Sequence, residues 1–149
     1  MGEKMSNKLS LLAVDDDAAF LKQVGSLLGS QYSLKLAGNA SEAMAALKAQ
    51  DFDGIILDMD MPEVSGLQLL KILRGLKAHI PVLMLTGNRS ASSIVTAIKE
   101  GAFDYVIKDP SDMATELEFR VSRMLAQKAL NLRAGKLEKL EKKIADEKS

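Results

Sequence analysis

Five short apolar runs, each stopping at a polar or turn-forming residue, constrain this chain more than any other feature. Leu11 to Val14 stops at Asp15-Asp16-Asp17. Tyr32 to Ala37 stops at Gly38-Asn39. Gly54 to Leu57 stops at Asp58, Pro81 to Leu85 at Thr86-Gly87, and Phe103 to Ile107 at Lys108. The runs are rich in Val, Ile and Leu and lack a consistent polar alternation, which is the pattern of strands covered on both faces. Segments of helical period separate them. Ala18–Leu28 lines up Phe20, Leu21, Val24, Leu27 and Leu28, with Gly29 suited to its end. Ser41–Ala49 lines up Ala43, Met44 and Leu47, with Ser41 expected as its N-cap. Leu67–Leu76, Ser92–Lys99 and a last helix opening at Asp112 complete the set. Five βα units in succession predict a doubly wound, five-stranded parallel sheet with helices on both faces.

A parallel sheet brings the C-terminal ends of its strands to one edge, where open α/β sheets bind ligands. That edge would collect Asp15, Asp16, Asp58, Thr86 and Lys108. Asp58, at the mouth of a buried strand, suits a nucleophile that forms an aspartyl phosphate. Adjacent carboxylates at Asp15 and Asp16 repel unless a cation neutralises them, and hard oxygen ligands suit Mg²⁺. Asp17 is the expected helix cap. Thr86 and Gly87 offer a hydroxyl and an approachable backbone to phosphoryl oxygens. Lys108 offers a charge to neutralise them. Each residue alone has an ordinary reading as a cap, a turn or a surface charge. Their combination on strands one, three, four and five is far more specific.

Composition narrows the remaining classes. Hydrophobic residues make up 47% of the 149, enough for one core. No apolar stretch is long enough to cross a membrane, and the polar start, Met1 to Asn7, reads as a loose leader rather than a signal peptide. The absence of cysteine fits a reducing cytoplasm, the expected location, and removes disulfides and thiolate metal sites. Net charge is zero, but residues 127–149 carry net +3 and residues 1–126 net −3. This predicts a leader over 1–8, a folded domain over 9–126 and a helical extension over 127–149, which reads equally as a short coiled coil or as a frayed, solvated amphipathic helix. In that extension Leu130, Leu137, Leu140 and Ile144 recur near 3.5-residue spacing. Gly135 interrupts it at a cost of about 1 kcal/mol. The tail is too short and too mixed in charge for a DNA-binding domain, so no direct nucleic-acid binding is expected. His79, the single histidine, sits before the fourth strand and is assigned no role.

The segments LLAVDDD (11–17), GIILDMDMPEVSG (54–66), PVLMLTG (81–87) and GAFDYVIK (101–108) resemble the receiver domain of bacterial two-component response regulators. The resemblance covers roughly Leu9 to Ala126 and implies a flavodoxin-like (βα)5 fold. It implies that Asp58 accepts a phosphoryl group from a kinase phosphohistidine, with Mg²⁺ held by Asp16, by Asp15 mainly through water, by Asp58 and by the backbone carbonyl of Asp60. It further implies that Thr86 and Lys108 hold phosphoryl oxygens and that Tyr105 is the switch aromatic. The partners it implies are a sensor histidine kinase or phosphotransfer protein. A second copy of the chain could pair through the fourth-helix, fifth-strand and fifth-helix face or through the C-terminal helix. On this reading the chain is a signalling domain, not an enzyme beyond its own phosphorylation and dephosphorylation.

Two positions depart from the family pattern. Asp109 stands between Lys108 and Pro110, where the family has proline directly after the lysine. A cis Lys108–Asp109 peptide would cost roughly 3 kcal/mol, and a relaxed trans loop is its rival. Asp60 adds an acid beside Asp58, expected to influence attack by water on the phosphorylated form. Two other readings stay open: a haloacid-dehalogenase-like phosphatase using Asp58 and Asp60, and a scaffold module that is never phosphorylated. Against the phosphatase, Pro62 stands where that family prefers Thr or Val, and Asp15-Asp16 precede the nucleophile strand.

Overall fold

The computed structural model describes residues 8–77, 79–87, 91–109 and 111–148. The leader 1–7, Pro110 and Ser149 lie outside the described residues. The apolar runs form strands β1 (Ser10–Val14), β2 (Ser33–Ala37), β3 (Gly54–Asp58), β4 (Val82–Thr86) and β5 (Asp104–Ile107). Helices α1 (Ala18–Leu28), α2 (Ala40–Ala49), α3 (Gly66–Leu76), α4 (Ala91–Lys99) and α5 (Met113–Lys148) alternate with them. All four strand pairings are parallel, in the order β2-β1-β3-β4-β5, the doubly wound arrangement.

Strand alternation sorts the core into two layers. Leu12, Val14, Ile55, Leu57, Val82 and Met84 face α2, α3 and α4, against Ala46, Leu47, Leu69, Leu70, Leu73 and Ala97. Leu11, Ala13, Ile56, Leu83, Leu85 and Val106 face α1 and α5, against Leu21, Val24, Leu28, Leu117, Val121 and Met124. β2 departs from the expected two-sided burial. It is one of the two edge strands, and of its five residues Ala37 alone is fully buried.

The helix ends correct one expectation. Asn39, not Ser41, caps α2: its side chain accepts from the Glu42 N–H at 2.8 Å. Glu42 in turn accepts from the Gly38 N–H at 2.7 Å, so the helix is locked earlier in the chain than a Ser41 cap would allow. Gly29 ends α1 at φ −65°, without the left-handed turn that usually selects glycine there. Asp17 caps α1 as expected, accepting from Ala19 and Phe20. α3 opens with a reciprocal capping box between Ser65 and Gln68. Gly101 closes α4 at φ +105°.

α5 is one continuous helix of 36 residues. Its first turns pack on the sheet through Leu117, Val121, Met124 and Leu125. Lys128 Nζ then ties it to the Asp53 carbonyl at 3.3 Å and to Asp53 Oδ1 at 3.4 Å. From Ala129 to Glu147 every residue except Gly135 is exposed.

Candidate functional site

Backbone ladders carry three of the polar residues to the sheet edge. The Asp15 N–H donates to the Ala37 carbonyl at 3.1 Å, Met59 to Leu85 at 2.9 Å, and Lys108 to Thr86 at 2.8 Å. The same alternation that sorts the core now divides the site. Asp15, Asp58 and Lys108 share the parity of Ala13, Ile56 and Val106, the α1/α5 side. Thr86 and Tyr105 share the parity of Met84, the α2/α3/α4 side.

Lys108 bridges two buried carboxylates. Its Nζ lies 2.7 Å from Asp15 Oδ2 and 3.3 Å from Asp58 Oδ1. Asp15 is 1% exposed and Asp58 2%. Each carboxylate is oriented by its own loop: Asp15 Oδ1 accepts from the Asp17 N–H at 3.0 Å, and Asp58 Oδ1 from the Asp60 N–H at 3.3 Å. Burial and the neighbouring Asp15 charge raise the Asp58 carboxyl to about 6, against Lys108 and the Asp60 N–H, which lower it. Burial pulls the Lys108 ammonium down, but the hydrogen bond to Asp15 and the two carboxylate charges outweigh it and leave it raised. Two carboxylates share one ammonium, so the site holds an excess of negative charge in a region that little water reaches.

Asp16 completes an acidic cluster. One oxygen each from Asp15, Asp16 and Asp58 lies within 4.8 Å of the others. Asp16 is exposed while its two neighbours are buried, so the cluster opens to solvent on one side. Hard oxygens at this spacing, with an open side for waters, fit Mg²⁺ or a similar divalent ion. The Asp60 side chain is exposed and does not join the three carboxylates.

Thr86 is fully buried at the end of β4, with exposed Gly87 beyond it. Tyr105 is half-buried on β5 and packs on the α2/α3/α4 layer. The Arg120 guanidinium sits 5.7 Å from its ring centroid, held by Asp104 at 2.6 Å and Glu116 at 2.9 Å. The Lys108–Asp109 peptide is trans, since no described peptide bond is cis. The relaxed loop is therefore the form adopted, and Lys108 still reaches both carboxylates. His79 is exposed and remote from this edge.

Two contributors escape a reading of the sequence. Lys108 Nζ lies 4.5 Å from the centre of the Phe20 ring, a cation–π contact from α1. Phe20 is legible as core, but nothing in its spacing reveals the ammonium above it. Gly66 is the second. A Cβ there would collide with the Asp58 carbonyl oxygen, so α3 can start against the loop that follows Asp58 with glycine alone. The Gly66 N–H donates to the Met59 carbonyl at 3.1 Å and closes that loop.

Comparison with known proteins agrees with this geometry. The response regulator receiver domain family matches residues 11–118. The transcriptional regulatory protein ZraR of Klebsiella oxytoca is 34% identical over 125 residues, covering 83% of this chain and 28% of that protein. ZraR of Salmonella typhimurium is 36% identical over 102 residues, covering 68% of this chain and 23% of that protein. The chain thus spans about a quarter of the length of these relatives. Among solved structures, a CheY-like receiver domain protein from Methanospirillum hungatei superposes with a TM-score of 0.77 at 25% identity, covering 84% of this chain and 99% of that one. NtrX from Brucella abortus superposes with a TM-score of 0.82 at 26% identity, covering 88% of this chain and 30% of that one. A five-stranded doubly wound sheet with buried Asp15 and Asp58 under Lys108, matched over most of its length by this family, makes the chain a member of the response regulator receiver domain family of two-component systems.

Proposed function

We propose that Asp58 is the phosphoacceptor of this receiver domain. The observation that carries the proposal is the Lys108 bridge, 2.7 Å to Asp15 and 3.3 Å to Asp58, over a nucleophile almost fully buried at the sheet edge. A carboxylate oxygen of Asp58 attacks phosphorus. The bond from phosphorus to the kinase imidazole breaks, and the imidazole keeps the electron pair and takes up a proton. Lys108 exchanges its contact with Asp58 for an equatorial phosphoryl oxygen, while Asp15 continues to hold it. The Thr86 hydroxyl turns toward the phosphoryl group from the opposite parity. That movement frees space on the layer where Tyr105 packs, and Tyr105 turns inward away from Arg120. Asp15, Asp16, Asp58 and the Asp60 carbonyl would hold Mg²⁺, which when bound neutralises the developing phosphoryl charge. A sensor kinase or phosphotransfer protein would supply the phosphoryl group. The α4-β5-α5 face would report it to a partner or output module.

The domain limits follow the same reading, with the receiver unit over 9–126 and a helical extension beyond. The Asp60 side chain, exposed beside Asp58, would bias attack by water and so the lifetime of the phosphorylated state. Among the described helices none is long and apolar enough to cross a membrane.

The test is the intact mass after incubation with Mg²⁺ and acetyl phosphate. One phosphoryl adduct on the wild type and none on Asp58→Ala is expected. No adduct and no phosphate release would overturn the reading in favour of an unphosphorylated scaffold. Continuous release of phosphate through Asp58 would favour a phosphatase.

A further inference from the structure

We infer that a cavity at the N-terminal edge of the sheet binds a small organic anion, a flat apolar body carrying a carboxylate or a phosphate. The cavity measures about 460 Å³, within the range of small-molecule sites. It lies where α5 leaves the domain. One wall is α5 itself, through Met124, Gln127, Lys128 and Leu132. The other is built where β4 and β5 begin, from Pro81 and Phe103, together with Arg74 of α3. Thr86 and Lys108 lie at the opposite ends of those two strands, so this cavity is separate from the acidic edge.

Its charge is one-sided. Arg74, His79 and Lys128 line it, and none of the described residues around it is acidic. Residues 1–126 as a whole carry net −3, so this is a local exception. The fold places each cation. Gly101, at φ +105°, lies against the Arg74 stem, and a Cβ there would come within 2.7 Å of Arg74 Cδ. The guanidinium continues to the Ile80 carbonyl and donates to it. Burial pulls Arg74 below its ordinary value, and an anion beside it would offset that cost. Lys128 reaches Asp53 at 3.3 and 3.4 Å, longer than a strong charge-assisted bond. An ammonium has three donors, and a closer anion would compete well for them. His79 offers a ring N–H in either protonation state. The apolar wall is equally fixed. The Phe103 N–H donates to the Val82 carbonyl at 2.8 Å, and its ring packs against the core beneath α5. With Pro81 and Met124 it presents a surface suited to a planar body. A ligand in this place joins α5 to the sheet just before the exposed extension begins at Ala129.

The test is an amide NMR titration of the intact chain in EDTA, which leaves no metal at the acidic edge to recruit an anion. The probes are 2-naphthoate, 2-naphthyl phosphate, uncharged 2-naphthamide and inorganic phosphate. Both naphthyl anions should shift the amides of Gly101, Phe103 and Gln127 to Leu132 and should saturate at millimolar concentration or below; the tighter one assigns the head group. The amide and inorganic phosphate should each bind about 10-fold more weakly, since one lacks the charge and the other the flat body. Leu132→Asp places an acid at an exposed position in the wall and should abolish saturation. Leu130→Asp, outside the cavity, should leave it. Lys128→Gln should weaken both anions by about 10-fold. Absence of saturable shifts with either anion would overturn the inference. So would equal binding of the uncharged amide, shifts centred on Asp15 and Lys108, or binding untouched by Leu132→Asp. Thermal melts of each variant separate loss of the cavity from loss of the fold.

Discussion

At the scale of single residues, Asp58 is both the proposed phosphoacceptor and a source of instability. Its carboxyl is raised to about 6 by burial and then by Asp15, so the folded state binds this proton more tightly than the unfolded chain, where the value is ordinary. Its contribution to stability is complete at low pH and is lost as pH rises through about 6. Asp58→Asn should therefore raise the melting temperature at pH 7.5 in EDTA by roughly 3–5 °C, and the gain should vanish below pH 4. Mg²⁺ should narrow the gap, because wild type alone offers the full carboxylate set. A calorimetric scan showing equal melting temperatures at pH 7.5 would contradict the origin of the shift. Phe20 offers a second test. Phe20→Leu keeps an apolar side chain on α1 but removes the aromatic face 4.5 Å from the Lys108 ammonium. Phosphorylation by acetyl phosphate should slow by about 2–5-fold, the equivalent of a cation–π contact, with Mg²⁺ affinity unchanged.

At the scale of elements, local chemistry fixes the ends of the helices that frame the site. Asn39 holds the first turn of α2, while Ser41 lies inside it. Asn39→Ala should cost about 1 kcal/mol in urea unfolding. Ser41→Ala should stay within about 0.5 kcal/mol. The reverse order would restore Ser41 as the cap. α5 shows how one element serves two surroundings. Its face toward the sheet carries Leu117, Val121 and Met124, and its continuation carries leucines on another side. The periodicity of the extension is visible in sequence. The sheet-facing stripe before it and the solvent-facing stripe after it become distinct faces only when both are wound on one continuous axis.

At the scale of the molecule, the proposed signalling step draws on two sides of one sheet. Asp15, Asp58 and Lys108 gather on the α1/α5 side, while Thr86 and Tyr105 belong to the other. On the proposed mechanism Thr86 is thus the residue that couples phosphoryl chemistry to Tyr105. With fluorotyrosine incorporated, phosphorylation should shift the Tyr105 resonance in the wild type. Thr86→Ala should still take up a phosphoryl group but should leave that resonance largely in place. A full shift in Thr86→Ala would separate the tyrosine from the threonine.

Fold class and the acidic edge are legible in the chain itself. Apolar runs punctuated by Asp15-Asp16, Asp58, Thr86 and Lys108 dictate parallel strands, because buried backbone must pair and βα crossovers place those ends together. Local rules also predict the Asp17 cap. Other features need three dimensions. β2 and β5 lie at the sheet's two edges because strand order, not composition, decides which strands lack a second neighbour. Gly66 is required by the Asp58 carbonyl that α3 approaches, and Phe20 meets Lys108 from a distant part of the chain. The trans Lys108–Asp109 peptide is open in sequence, since either loop could deliver the ammonium. Periodicity records which residues leave water, and it is blind to what they meet on arrival. Contacts between distant segments are decided by packing, where each side chain takes the neighbours that the assembled layers present.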